Sequence, residues 1–323
     1  MSIHSVKRSQ NHLAWDNSIP PVLRVKSGEE IEFDCLDASN GQINPDSDSS
    51  TLAQLVFTQL DQVCGPVFVE GAEPGDVLQV EVLNIETAEW GWTALIPGFG
   101  LLSDEYPEST LKIWSINREV GYAWFDEEKK IKIPIKPFAG EMGVARKEDG
   151  AFSTIPPYNT GGNIDTRHVT VGSTLYLPIE VPGALFSMGD GHAAQGDGGK
   201  IYHCRTAIET PIKVKVRLTV LKDEKKSRYV KTPHFNTTIT GNPHAQHSNS
   251  TEDFYCTTGV GPDLRQCARD AVRSMIDYLE AEVGLNRVQA YMLCSVAGDL
   301  RLHEVVDMPN YVVGMMMPKS IFA

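Results

Sequence analysis

The sequence predicts a mainly β protein, a sandwich or barrel of sheets, and three observations carry that expectation. Apolar residues recur with a period of two in several separate segments. Gly- and Pro-rich turns such as "AEPGD", "IPPYNTGGN" and "EVPGA" fill the gaps between them. Helical periodicity is confined to a few stretches. Strands with one wet face need that alternation, because successive side chains point to opposite sides of a sheet, and many short strands between such turns favour two packed sheets or a closed one.

Taken in chain order, "IEFDC" places Ile31, Phe33 and Cys35 on one face. "STLAQLVFTQL" (Ser50 to Leu60) then follows two N-cap types, Asp48 and Ser49, with Leu52, Leu55, Val56 and Leu60 roughly on one side, so a helix is expected there. "VLQVEVLNIE" aligns Leu78, Val80 and Val82, and "IKIPIK" aligns Ile131, Ile133 and Ile135. "IKVKVRLTV" alternates most cleanly, with Ile212, Val214, Val216, Leu218 and Val220 inward and Lys213, Lys215, Arg217 and Thr219 outward. The strongest helix spans 262–283. Pro262 and Asp263 suit its start, Gly284 suits its C-terminal cap, and Leu264, Cys267, Ala268, Ala271, Val272, Met275, Ile276, Leu279 and Val283 form a buried stripe. "RVQAYMLCSV" fits a third helix or a buried strand.

With 323 residues, no internal repeat and no long linker, the chain reads as a single compact unit over 1–323. Its sub-lobes would be an N-terminal β-rich part, 1–155, and a C-terminal part, 156–323, carrying the 262–283 helix. The net charge of −13 opposes attraction to a phosphate backbone, so no nucleic-acid partner is expected. No segment approaches the roughly 20 apolar residues of a membrane span, and the N-terminus lacks the apolar core of a secretory signal. Six scattered cysteines without a C-x-x-C pair read as reduced thiols in a cytoplasmic protein.

The densest concentration of chemistry is "SMGDGHAAQGDGGK" (Ser187 to Lys200). A phosphate loop ending at Lys200 would need Gly at 194 and Ser or Thr at 201, where the chain has Ala194 and Ile201. A calcium-loop ladder from Asp190 fails as well. Asp190 and His192, two apart, project to one side of an extended segment and would supply two ligands to a divalent ion. The neighbouring glycines would let backbone approach the ion or substrate. The same residues also fit a Gly-rich turn with a capping Asp and a hydrogen-bonded surface His. "NTGGNIDTRH" gathers Asn163, Asp165 and His168, either for chemistry or as turns that anchor a strand. Glu141 in "PFAGEMGV" has few charged neighbours in sequence, a setting that tunes a carboxylate for acid–base work. No G-x-S-x-G elbow is present, and Cys64 in "QVCGPVF" shows no local activation.

Read together, "HLAWDN", "GPVFVEGAEPGDVLQVEV", "PFAGEMGVA", "GGNIDTRHVTVGSTLYLPIEVPGALFSMGDGHAAQGDG", "TAIE" and "AYMLCSVAGDLRLHEVVDMPNYVV" resemble the acetamidase/formamidase family, in order, from about His12 to Phe322. The resemblance implies a mainly β fold with a smaller α/β part, and hydrolysis of a short carboxamide to the carboxylate and ammonia. A divalent metal, zinc or calcium, near the Asp-x-His segment and a homo-oligomer are implied as well. Carried over by position, the site residues are Asn163, Asp165, Asp190, His192, Gln195 and Asp197. Asp190 and His192 would bind the ion with Asp165 as a third ligand. Glu141 or Asp197 would take the proton of water, and Asn163 and Gln195 would bind the amide group. The role of Glu141 is a physical inference rather than a family feature. In "GDGGKIYHCRTAIE" Gly199 stands where the family carries Glu, and residues are inserted before Arg205. His203 or Glu209 would have to compensate; otherwise the chain is a non-catalytic paralogue that binds a small molecule.

Overall fold

The computed structural model describes residues 4–98, 100–198, 206–238 and 253–322. The 199–205 segment, with Gly199, His203 and Arg205, lies outside them. Among the described residues, two large sheets share one core. The first has nine strands, among them Glu29–Cys35, Ile212–Leu221, Val77–Thr87, Thr174–Pro178, Phe254–Gly261, Tyr311–Pro318 and, at one edge, Asp299–Glu304. The second has twelve, and its centre runs Trp90–Leu95, Ile208–Glu209, Phe186–Ala194, Phe138–Gly143, Gly161–Asn163.

Alternation in the sequence becomes the inner face of the first sheet. Ile31, Phe33, Cys35, Leu78, Val80, Val82, Val214 and Val216 meet Val67, Ala139, Met142, Phe186 and Met188 from the second sheet. The Phe33 and Phe186 rings join the layers edge to face at 5.8 Å. Cys64 belongs to this core, which accounts for the thiol by packing. The "IKIPIK" row behaves differently: the Ile131–Pro134 strand is the edge of its sheet, and Ile131 is 43% exposed although Ile135 is buried.

The helical part packs on the outer side of the first sheet. Asp263 is the N-cap of the Leu264–Tyr278 helix, accepting the Gln266 N–H at 2.6 Å. A wider turn, Leu279–Val283, continues to Gly284, whose φ of 79° ends it. Cys267, Ala271, Met275 and Leu279 pack with Tyr255, Met315 and Met317. The stripe is shorter than expected, because Leu264 and Val283, at its ends, are 40% and 39% exposed. Arg287–Ala297 is a helix, capped by Asn286. Only Ala290 and Cys294 are buried there, and Val288, Tyr291, Met292 and Val296 face outward. Among the described residues no helix is long and apolar enough to cross a membrane.

The helix expected over 50–60 is instead two short 3₁₀ turns, Ser49–Gln54 and Phe57–Gln59. Asp48 caps the first as the sequence suggests, accepting the Ser50 N–H at 2.9 Å. The chain then becomes extended at Leu55, and the Gln42 amide takes both backbone groups of Val56, accepting its N–H at 2.7 Å and donating to its carbonyl at 3.3 Å. Side-chain bonds to those groups replace the helical ladder.

Candidate active site

The Phe186–Ala194 strand is buried along its whole length and pairs with three others: Phe138–Gly143, Ile208–Glu209 and Val63–Glu70. Its glycines have a steric cause. A Cβ on Gly189 would strike the Gln62 carbonyl, and one on Gly191 would strike the Thr210 carbonyl. They admit neighbouring strands rather than an ion, which corrects the sequence reading of their role. Asp190 lies between them in the left-handed region, φ 53°. The surface-turn reading of this segment fails, since Asp190 and His192 are fully buried.

Asp165 joins them from a different segment. Gly161 and Gly162, at φ 96° and 99°, turn the chain beside the Phe138–Gly143 strand, and Asp165 follows at φ 45°. Its N–H donates to the Gly140 carbonyl at 3.1 Å. His192 Nε2 then lies 3.1 Å from Asp190 Oδ1, and His192 Nδ1 lies 3.7 Å from Asp165 Oδ1. Phe138 closes one side of the imidazole, ring to ring at 4.8 Å. Glu209, also fully buried, brings Oε2 to 3.0 Å from His192 Nε2. Burial opposes protonation of this ring, but Asp190 and Glu209 outweigh it and raise His192 well above its ordinary value. Carboxylates so close and so dry require a positive charge among them, a proton on the ring or a bound cation.

Asp165, Asp190 and His192 each offer a ligand atom, all within 4.8 Å of one another, and could hold a metal ion. The space beside them fits that reading. Gly140 faces the group, and a Cβ there would press on Asp190 Oδ2, lie 2.6 Å from Asp165 Oδ1 and lie 2.8 Å from His192 Cε1. Two carboxylates and an imidazole form a donor set that a divalent ion accepts.

The other sequence candidates divide. Glu141 is fully buried and stands opposite Asn163 and Gly189 in the strand register. Asn163 donates from Nδ2 to the Ile155 carbonyl at 2.9 Å and to Asp307 Oδ2 at 3.0 Å. Gln195 Nε2 donates to the Asp165 carbonyl at 2.9 Å, tying the strand to the ligand loop. His168 Nε2 lies 3.0 Å from Asp197 Oδ1. Asp197 is the hub of an ion-pair cluster, with Arg167 Nε and Arg301 Nη1 each at 2.8 Å. Burial alone would raise this carboxyl, yet His168 and the two guanidinium groups hold it far below the ordinary carboxylate range. The carboxylate so held fastens Arg167, His168 and Arg301 to one another.

Sequence reasoning missed the C-terminal contribution. Arg301 reaches Asp197, His303 Nδ1 lies 3.2 Å from Thr166 Oγ1, and Asp307 reaches Asn163. Glu304 Oε1 accepts the backbone N–H groups of Val306 and, at 2.6 Å, Asp307. Burial first, and Asp307 second, push the Glu304 carboxyl well above its usual range. The only signal was the density of His, Glu, Asp and Asn in "HEVVDMPN".

A family model described as the Acetamidase/Formamidase family matches residues 3–149 and 144–323. The chain is similar to the formamidase of Methylophilus methylotrophus, 27% identical with 97% of this chain and 89% of that protein covered. It is 28% identical to the acetamidase of Mycolicibacterium smegmatis over 58% of this chain and 60% of the other. Among solved structures, acetamidase from Bacillus halodurans superposes with a TM-score of 0.85 at 27% identity, covering 98% of each chain. Acetamidase from Yersinia enterocolitica gives 0.83 at 27% identity, covering 100% of this chain and 93% of that one.

Proposed function

Because the chain belongs to the acetamidase/formamidase family, we propose that it hydrolyses the C–N bond of short carboxamides of the formamide and acetamide class, giving the carboxylate and ammonia. The observation that carries this reading is the fully buried Asp165–Asp190–His192 group with the space that Gly140 leaves beside it. Those three side chains would hold a divalent ion. Zinc fits the set better than calcium, which takes oxygen ligands throughout. When bound, such an ion supplies Lewis-acid polarisation of the amide carbonyl and acidifies water.

The protein's own groups do the rest. Glu209, at 3.0 Å from His192 Nε2, fixes the ring so that Nδ1 faces Asp165, the arrangement by which an outer carboxylate sets the tautomer of a ligand histidine. Glu141 takes the proton of the attacking water and delivers it to the leaving nitrogen. Asn163 and Gln195 hold the amide group. Asp197, with its three cationic or imidazole partners, keeps the 167–168 turn against the end of the site strand. Self-association as a homo-oligomer is supported by the outward apolar face of Arg287–Ala297, with Val288, Tyr291, Met292 and Val296. Cytoplasmic location is supported by the five free cysteines among the described residues, all buried and none in a disulfide.

Elemental analysis alongside ammonia release from formamide and acetamide tests the reading. Chelation should abolish release and zinc should restore it. The assignment is wrong if His192→Ala retains full metal content and turnover.

A further inference from the structure

Asn163 closes the Gly161–Asn163 strand, two residues before Asp165, and is fully buried. Its two Nδ2 hydrogens are committed to the Ile155 carbonyl and to Asp307 Oδ2. A peptide carbonyl only accepts, so the amide nitrogen has to face Ile155, and this fixes the orientation of the side chain. What remains is Oδ1, which is buried and has no hydrogen-bond partner among the described residues. An acceptor left in that condition is costly and calls for an N–H or O–H donor. Asp307, which fixes the orientation, is itself held by the bond from its backbone N–H to Glu304 Oε1 at 2.6 Å.

We propose that Asn163 Oδ1 is the receptor for the –NH2 group of the substrate, and that Asp307 is the positioning residue that keeps this oxygen turned toward it. The identity of the ligand rests on the amidase reading above. The expectation from sequence, that Asn163 offers both a donor and an acceptor, is thereby narrowed to an acceptor. The subsite selects substrates that present an N–H to this oxygen, because one without N–H leaves it unpaired.

Acetone has the shape and the carbonyl of acetamide with a methyl in place of –NH2, so the pair isolates this contact. Saturation-transfer NMR on the full-length protein should show acetamide binding about tenfold or more tighter than acetone. Asn163→Leu should bring the two within about threefold, and Asp307→Ala should narrow the gap by about threefold or more. Asp307→Asn, whose side-chain oxygen still accepts from Asn163, should preserve the gap. Equal binding of acetamide and acetone by the unchanged protein overturns the proposal. An unaltered ratio in Asn163→Leu and Asp307→Ala does so too, since a purely structural role weakens both ligands together. Ammonia release is scored separately: discrimination without release keeps the subsite and removes the amidase reading.

Discussion

Gly140→Ala is the most direct probe of the site, because one added methyl lands where a cation would be held. The new Cβ would lie 2.6 Å from Asp165 Oδ1 and 2.8 Å from His192 Cε1, and closer still to Asp190 Oδ2. Ordinary carbon contacts begin near ~3.4 Å, so these groups must retreat by about 0.5 Å or more. All three are fully buried, and a close-packed interior gives them little room to do so. Ligand distances at a metal site tolerate only about 0.2 Å, so the displacement exceeds what coordination allows. Overpacking by one carbon costs about 1–3 kcal/mol, which for a chain this long lowers the melting temperature by only about 2–4 °C. The protein should therefore fold, lose most of its metal and release little ammonia. Metal content by plasma emission, the thermal midpoint and ammonia release measure the three effects. A G140A protein with one ion per chain and full turnover would refute the reasoning.

Two further outcomes follow from groups outside the ligand set. Asp197→Asn removes a carboxylate bonded to Arg167, His168 and Arg301; since its side chain is partly exposed, the loss should be about 2 kcal/mol rather than the larger figure for a dry pair. The shape of the pH–rate profile should survive this change, and loss of its acidic limb would identify Asp197 as the base. His234 and His303 are each held down to about 3, chiefly by burial. Below pH ~6.5 the unfolded chain takes up protons that these folded residues refuse, so their stabilising contribution is complete above that pH and declines toward pH 3. The slope approaches about 1.4 kcal/mol per unit for each once the unfolded residue is protonated, so the two lower stability by about 3 kcal/mol between pH 6.5 and 5. Urea midpoints at the two pH values measure this. An unchanged midpoint would contradict it, and His234→Gln should remove about half of the slope.

The fold was legible where local pattern and final burial have one cause. Ile212, Val214, Val216 and Leu218 alternate in sequence because their faces alternate in the sheet. It was less legible where a distant group decides, as when Gln42 captures the backbone of Val56 and ends a helical pattern. In the site, Asp190 and His192 stood out through proximity in sequence. Asp165 depends on two glycines with left-handed backbone and on the register of Glu141 against Asn163. Glu209 meets His192 through strand pairing, and Asp307 comes from a further 144 positions along the chain from Asn163. Such cross-strand partners leave no periodic trace in a single sequence.

Asp165 and Asp190 share a feature that reaches beyond this reaction: both occupy left-handed backbone, φ 45° and 53°. Short polar side chains tolerate that conformation, whereas most others lose about 1–2 kcal/mol in it. Exchanging either aspartate for glutamate or cysteine therefore burdens the chain before any ion is considered. A laboratory search for variants that prefer a softer cation would have to redraw the main chain at these two points first, and libraries limited to side-chain replacement should return mostly Asp, Asn or Gly there.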